Sequence, residues 1–266
     1  MILALSGLWG LAASAGAAFA YAVPAVLRQR LSTPATRGVL VLAWLLHALA
    51  LAEGLFGQPP RFGFAPALSM TVWLVLSVYA IETKLFPHLS ARWTLAVLGA
   101  AAVLLSVVFP GSSYVRIASP WLPLHWALGM ASYGLFAAAV VHGWLMQRTE
   151  RSMREGVQTD TGVPLLTLER LTFRFVEAGF ILLTATLLAG FLFAEYLYGP
   201  SLGSMWNHKT IFSVLAWLTF AGLLAGRARL GWRGRKALRV LYAGSGLLLL
   251  GYAGSRFVLE VFLGQP

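Results

Sequence analysis

The chain carries five histidines and no cysteine. Transition-metal chemistry here must therefore run through imidazole, carboxylate, thioether or backbone groups. Disulfides, covalent CxxCH haem attachment and cysteine nucleophiles are excluded. Three histidines sit where they could do chemistry. His125 follows Trp121-Leu-Pro123-Leu and opens an apolar run, with Gly129 and Ser132 four and seven residues on and so on the same helical face. His208 opens another run directly after Trp206-Asn207, and His47 lies mid-run in WLLHALALAEG. Neutral imidazole is an axial ligand for haem iron, and two histidines on facing helices can clamp it from both sides. His125 and His208 fall at nearly the same depth. His47 falls on the order of 10 Å deeper at 1.5 Å per residue, suiting a second or steeply tilted position. On this reading the ligand is a non-covalent haem (heme b). Lys209 and Arg256 would stand near its propionates, Trp121, Trp126 and Trp206 would stack on the porphyrin edge, and Gly129 would admit the flat macrocycle close to the backbone.

Each of these residues also has a plainer reading. Tryptophans at helix ends anchor proteins at the membrane interface. Arg256 can pair with Glu260 four residues on, or snorkel to the interface. A hydrogen bond to a neighbouring helix would satisfy His47, and a terminal histidine can simply be polar at an interface. His88 and His142 carry no specific expectation. Residue types alone leave the ligand open. The carboxylates form no recognisable ion relay, and no P-loop, HExxH motif or nucleophile elbow is present. The expectation is a binding scaffold, not an enzyme.

The elements that position these residues are membrane helices. Of 266 residues, 59% are hydrophobic and 11% charged, too few polar groups to cover a soluble domain of this length. Apolar runs fall at 3–27, 38–56, 66–82, 93–109, 123–146, 172–196, 208–226 and 237–262. Many approach the roughly 20 residues that a helix needs to cross a bilayer core. There is no period-two alternation of the kind a membrane β-barrel shows. The chain thus reads as an all-α integral membrane protein of about eight transmembrane helices in a single domain, 1–266. The third and fourth runs are short. No internal repeat is evident, although an even helix number permits one. The N-terminal run ends in small residues like a cleavage site but lacks a basic n-region, so it reads as a retained first helix. The connector 147–171 reads as partly helical, with PLLTLERLTFRF an amphipathic entry to the sixth span.

The net charge of +11 is explained by its placement. One set of connectors holds Arg28, Arg30, Arg37, Lys84, Arg92, Arg148, Arg151, Arg154, Arg170, Arg174, Arg227, Arg229, Arg233, Arg235, Lys236 and Arg239. The opposite set holds only Arg61, Arg116, Lys209 and Arg256. A split of sixteen to four is a positive-inside signal that places both termini on the periplasmic side. Membrane lipid, not nucleic acid, is the expected partner of these charges.

Two stretches carry a family likeness: SPWLPLHWALGMASYGLFAAAVVHGWLM at 119–146, and WNHKTIFSVLAWLTFAGLLAGRARLGWRGRKA at 206–237. They resemble the cytochrome c assembly proteins of the CcsA and CcmC type, in particular the shorter YpjD/HemX-like branch, which His47 in its HALAL context also resembles. The resemblance implies haem handling at the outer face of a bacterial inner membrane, with His125 at the position of one external haem-ligating histidine. The family's tryptophan-rich motif is reduced here to Trp206-Asn207-His208-Lys209, with Asn and His replacing Asp and Pro. Its second external histidine has no counterpart in these residues. The implied function is haem delivery or support of cytochrome c maturation, with a protein of the haem or cytochrome-maturation pathway as partner. One alternative is a HemX-like regulator of tetrapyrrole synthesis that acts on a partner through the Arg-rich 227–239 turn and the 147–171 connector. Another is an accessory to metal-ion transport.

Overall fold

The computed structural model describes residues 2–27, 30–57, 61–85, 92–113, 121–156, 164–193 and 208–263. They are almost wholly helical. The helices are α1 (Ile2–Val26), α2 (Thr33–Phe56), α3 (Phe64–Leu85), α4 (Arg92–Val108), α5 (Leu122–Arg154), α6 (Leu165–Leu192), α7 (His208–Leu230) and α8 (Gly234–Leu249). Beyond α8 the chain stays helical to Phe262, with wider π-type turns at Leu250–Gly254 and Val258–Phe262 around three α residues, Ser255–Phe257. Among the described residues seven helical stretches are long and apolar enough to span a membrane. The eighth helix, α4, has 17 residues, on the order of 25 Å at 1.5 Å per residue. A two-residue antiparallel pair, Arg61–Phe62 with Ser112–Ser113, is the one strand feature among the described residues.

Local chemistry sets the boundaries. Ser32 caps α2, its Oγ accepting from the Ala35 amide at 3.4 Å, and Pro34 occupies the first turn, where a missing N–H costs nothing. Pro123 does the same for α5, which runs eight residues past the expected span into the connector. Between α7 and α8 the chain turns through Gly231 and Gly234, both at positive φ, a conformation that costs glycine little. Several hydroxyls inside the helices are satisfied at home. Thr71, Ser77, Thr172, Thr184 and Thr186 each donate to the carbonyl four residues back, as an apolar solvent demands.

The chain divides into two compact units, Met1–Val115 with Arg256–Pro266, and Arg116–Ser255. In the first unit α1 packs on α2 and α4, and α3 closes the ring between those two. In the second, α5 packs on α6 and α8, with α7 between them. Each unit is thus a four-helix ring with the same cyclic order. The second–third helix seam repeats as well. In the first unit Trp44 stacks on Trp73 and donates its indole N–H to Ser77 Oγ at 2.8 Å. In the second, Trp217 stacks on Phe180 and donates to Thr184 Oγ1 at 2.8 Å. This likeness is absent from the sequence pattern, because it lies in which faces meet and not in residue spacing.

Candidate functional site at the start of α5 and α7

Antiparallel connectivity brings the starts of α5 and α7 and the ends of α6 and α8 to one end of the second unit. His125 lies in the first turn of α5, its amide donating to the Trp121 carbonyl at 3.1 Å. Its half-buried ring rests against α6 at Gly190, where an added Cβ would stand 3.4 Å from Cε1. One turn along, the face of Gly129 meets Thr186, whose Cγ2 lies 3.5 Å from a Cβ built there. That face therefore packs on α6 and does not lie open. Ser132 Oγ donates to the Gly129 carbonyl at 2.8 Å. Trp126 is half-buried and Trp121 exposed.

His208 is exposed at the start of α7. Next to it the Lys209 ammonium stands 5.4 Å from the centre of the Tyr252 ring. The start of α7 lies close on the wide turn after α8, since a Cβ at Gly251 would meet Phe212 Cβ at 3.0 Å and the Lys209 carbonyl at 3.6 Å. Tyr133 Oη, on α5, donates to the Leu248 carbonyl at 2.8 Å. Two imidazoles and a cation are thus collected at one end of one four-helix ring. Trp206, together with Arg116 and His88, lies outside the described residues.

The other two candidates belong to the first unit. His47 is fully buried, with Nε2 2.8 Å from Ser69 Oγ and Nδ1 3.3 Å from the Tyr21 hydroxyl, and its ring edge-on to Tyr21. A metal bond at either nitrogen would require one of those hydrogen bonds to be given up. Arg256 does not pair with Glu260. Its Nε is buried without an acceptor, and the Glu260 carboxylate lies against Gly63, where a Cβ would stand 2.7 Å from Oε1. His142 uses Nδ1 to donate to the Ala138 carbonyl at 2.8 Å. Tyr21, Ser69, Gly190 and Tyr252 carried no signal in the sequence, because their importance lies in contacts between helices that no spacing within one helix reveals.

Among the described residues no three His or carboxylate side chains gather to cage an ion. Two histidines at one end instead suit an iron that brings its own four equatorial nitrogens and needs only axial ligands from protein. Were a haem to bind at this end, His125 and His208 are the residues that would hold it, and Lys209 the cation that would meet a propionate.

The fold and this site define a multi-pass, all-α membrane protein with histidines gathered at one end of a helix ring. Residues 33–263 match the family described as Cytochrome C assembly protein, and the chain belongs to that family. It is 26% identical over 231 residues to the Escherichia coli K12 inner membrane protein YpjD, covering 83% of this chain and 85% of that one. A 28.8 kDa protein of Azospirillum brasilense, from a nifR3-like 5′ region, is 31% identical over 196 residues, 72% of this chain and 69% of its own. The cytochrome c biogenesis protein CcsA of Synechococcus sp. RCC307 is 29% identical over 160 residues, 51% of each chain. No solved structure matches significantly.

Proposed function

We propose that this protein is a haem-handling scaffold that supports cytochrome c maturation or haem delivery, in which His125 and His208 would hold the haem iron. The observation that carries the reading is the gathering of His125, His208 and Lys209 at one end of the second unit. The opposite end of that unit bears the basic residues of the α5–α6 and α7–α8 connectors. The positive-inside rule therefore puts the histidine end, and both chain termini, on the periplasmic side. Bound haem would supply the redox-active iron that a cytochrome needs. The chain's own residues orient and release it. His125, steadied on α6 by Gly190, provides a fixed ligand. His208, exposed at a helix start, provides one that can let go. Lys209, its ammonium near the Tyr252 ring, would offer charge to a carboxylate. In this role the chain would exchange only the bonds to haem iron and transform no substrate, the part of a binding scaffold and not of an enzyme. The partner would be an apocytochrome or another maturation protein meeting the periplasmic face.

The test is a visible spectrum of the detergent-purified protein, oxidised and reduced, beside His125→Ala, His208→Ala and His47→Phe. Low-spin bands should be lost in His125→Ala, broadened or shifted in His208→Ala and kept in His47→Phe. A wild type that takes up no haem on reconstitution, or an unchanged spectrum in His125→Ala, would sink the reading.

One observation favours a second reading, regulation through a cytoplasmic partner. The α7–α8 turn is built, not loose: Arg227 binds Glu169 at 2.8 Å and lies 3.6 Å over the Phe173 ring, while Lys236 covers Trp232 at 4.1 Å. Arg233 reaches the same carboxylate at 3.9 Å from an exposed position, and Arg229, Arg235 and Arg239 are exposed as well. A soluble protein captured by wild type and His125→Ala alike, but lost on neutralising these arginines, would favour it.

A further inference from the structure

Arg256 stands in the last membrane-crossing stretch, Gly234–Phe262. Its Nε is buried with no hydrogen-bond partner among the described residues. The acid four residues on, Glu260, is turned onto Gly63, where an added Cβ would lie within 2.8 Å of both its carboxylate oxygens. Phe257 is held edge-on against Phe64 with ring centres 5.1 Å apart, so the helix carrying Arg256 is pinned to α3. Its backbone is unusual too. Arg256 is the middle of three α residues bracketed by π-type turns, an irregularity that recurs at functional sites. Ser255 Oγ spans the carbonyls of Gly251 and Tyr252, at 3.0 Å each.

A guanidinium stays charged at any relevant pH and presents five donors in a planar fork. Partly buried in an apolar helix with its Nε unbonded, it is costly to keep unless an anion joins it. We infer that Arg256 is the seat of an oxyanion carried by an amphipathic ligand. The fork fits a carboxylate or a phosphate through two parallel hydrogen bonds. The two sources at this depth are a haem propionate and the phosphate of an anionic phospholipid. The inference does not rest on haem binding, since the phosphate source stands without it.

The experiment places the full chain in phosphatidylcholine nanodiscs and measures two bindings. One arm follows phosphatidylglycerol retained in native mass spectra, and the other follows haemin by difference absorbance. Arg256→Gln and Arg256→Lys are compared with Arg61→Gln, an exposed cation of the same unit. Arg256→Gln should weaken one arm about tenfold, the scale of one charge-assisted hydrogen bond. Arg256→Lys should fall between it and wild type, because charge survives and the fork does not. Arg61→Gln should change neither arm. Loss in the lipid arm names the phosphate, and loss in the haemin arm names the carboxylate. Wild-type binding in both arms by Arg256→Gln, or an equal loss in Arg61→Gln, overturns the inference. Should Arg256→Gln fail to fold, Arg256→Lys decides alone, and its equality with wild type in both arms overturns the inference.

Discussion

The two four-helix units share a cyclic order and a tryptophan seam, yet they lock their centres by opposite chemistry. In the first unit one residue from each helix meets at a polar joint. Tyr21 of α1 and Ser69 of α3 bond the His47 ring of α2, and Gly99 of α4 leaves room for the Tyr21 ring, 3.0 Å from a Cβ built there. In the second unit the corresponding joint is aromatic. Phe136 of α5 stacks on Phe220 of α7 at 3.8 Å and 6°, with Gly179 of α6 against the first ring and Gly244 of α8 against the second. Both joints follow one rule of membrane packing: small residues admit close approach, and what they admit supplies either dispersion or hydrogen bonds. The difference is in what failure leaves behind. A void in the aromatic joint loses contacts, whereas a deletion in the polar joint strands hydroxyls where no water can reach them.

Phe220 is where the aromatic joint has most to lose. Phe220→Ala should destabilise the protein by about 3 kcal/mol, the scale of a large aromatic removed from a packed core, measured by thermal or denaturant unfolding in detergent. His47→Ala should cost less, about 2 kcal/mol, chiefly from the partners it leaves unsatisfied. A combined variant separates hydrogen bonding from shape. Tyr21→Phe, His47→Phe and Ser69→Ala together should be more stable than His47→Ala, since replacing every partner leaves no stranded polar group. If the combined variant is no better, the joint holds by shape and not by hydrogen bonding. The smallest effect belongs to Ser69→Ala alone, about 0.6 kcal/mol, the average for a polar contact between membrane helices.

Much of the architecture was legible because a bilayer admits so few solutions. Runs of apolar residues close to the bilayer thickness had to be helices, and the observed boundaries of α1, α2 and α7 fall within about five residues of the apolar runs. The third run is longer than its hydropathy suggested, since Phe64–Leu85 recruits residues beyond both edges of 66–82. The fourth stays short. At the candidate site, His125 and His208 could be placed at helix starts from Pro123 and the polar Trp206-Asn207 approach. What they rest on could not be read. Gly190 looks like any other glycine in an apolar run, and only the antiparallel pairing of α5 with α6 sets it beneath the imidazole.

The amino-acid sequence alone determined the solvent in which this protein folds, the number and approximate ends of its helices, and the segregation of its basic residues. Those follow from transfer energies and helical rise, which act along a single chain segment. Tertiary structure alone decided that His47 would spend both nitrogens on Tyr21 and Ser69, that Arg256 would miss Glu260, and that two units of unlike sequence would close in the same order. Each of these depends on which helix faces meet, and lipid, being as apolar as the helices, leaves that choice to side-chain packing and a few hydrogen bonds.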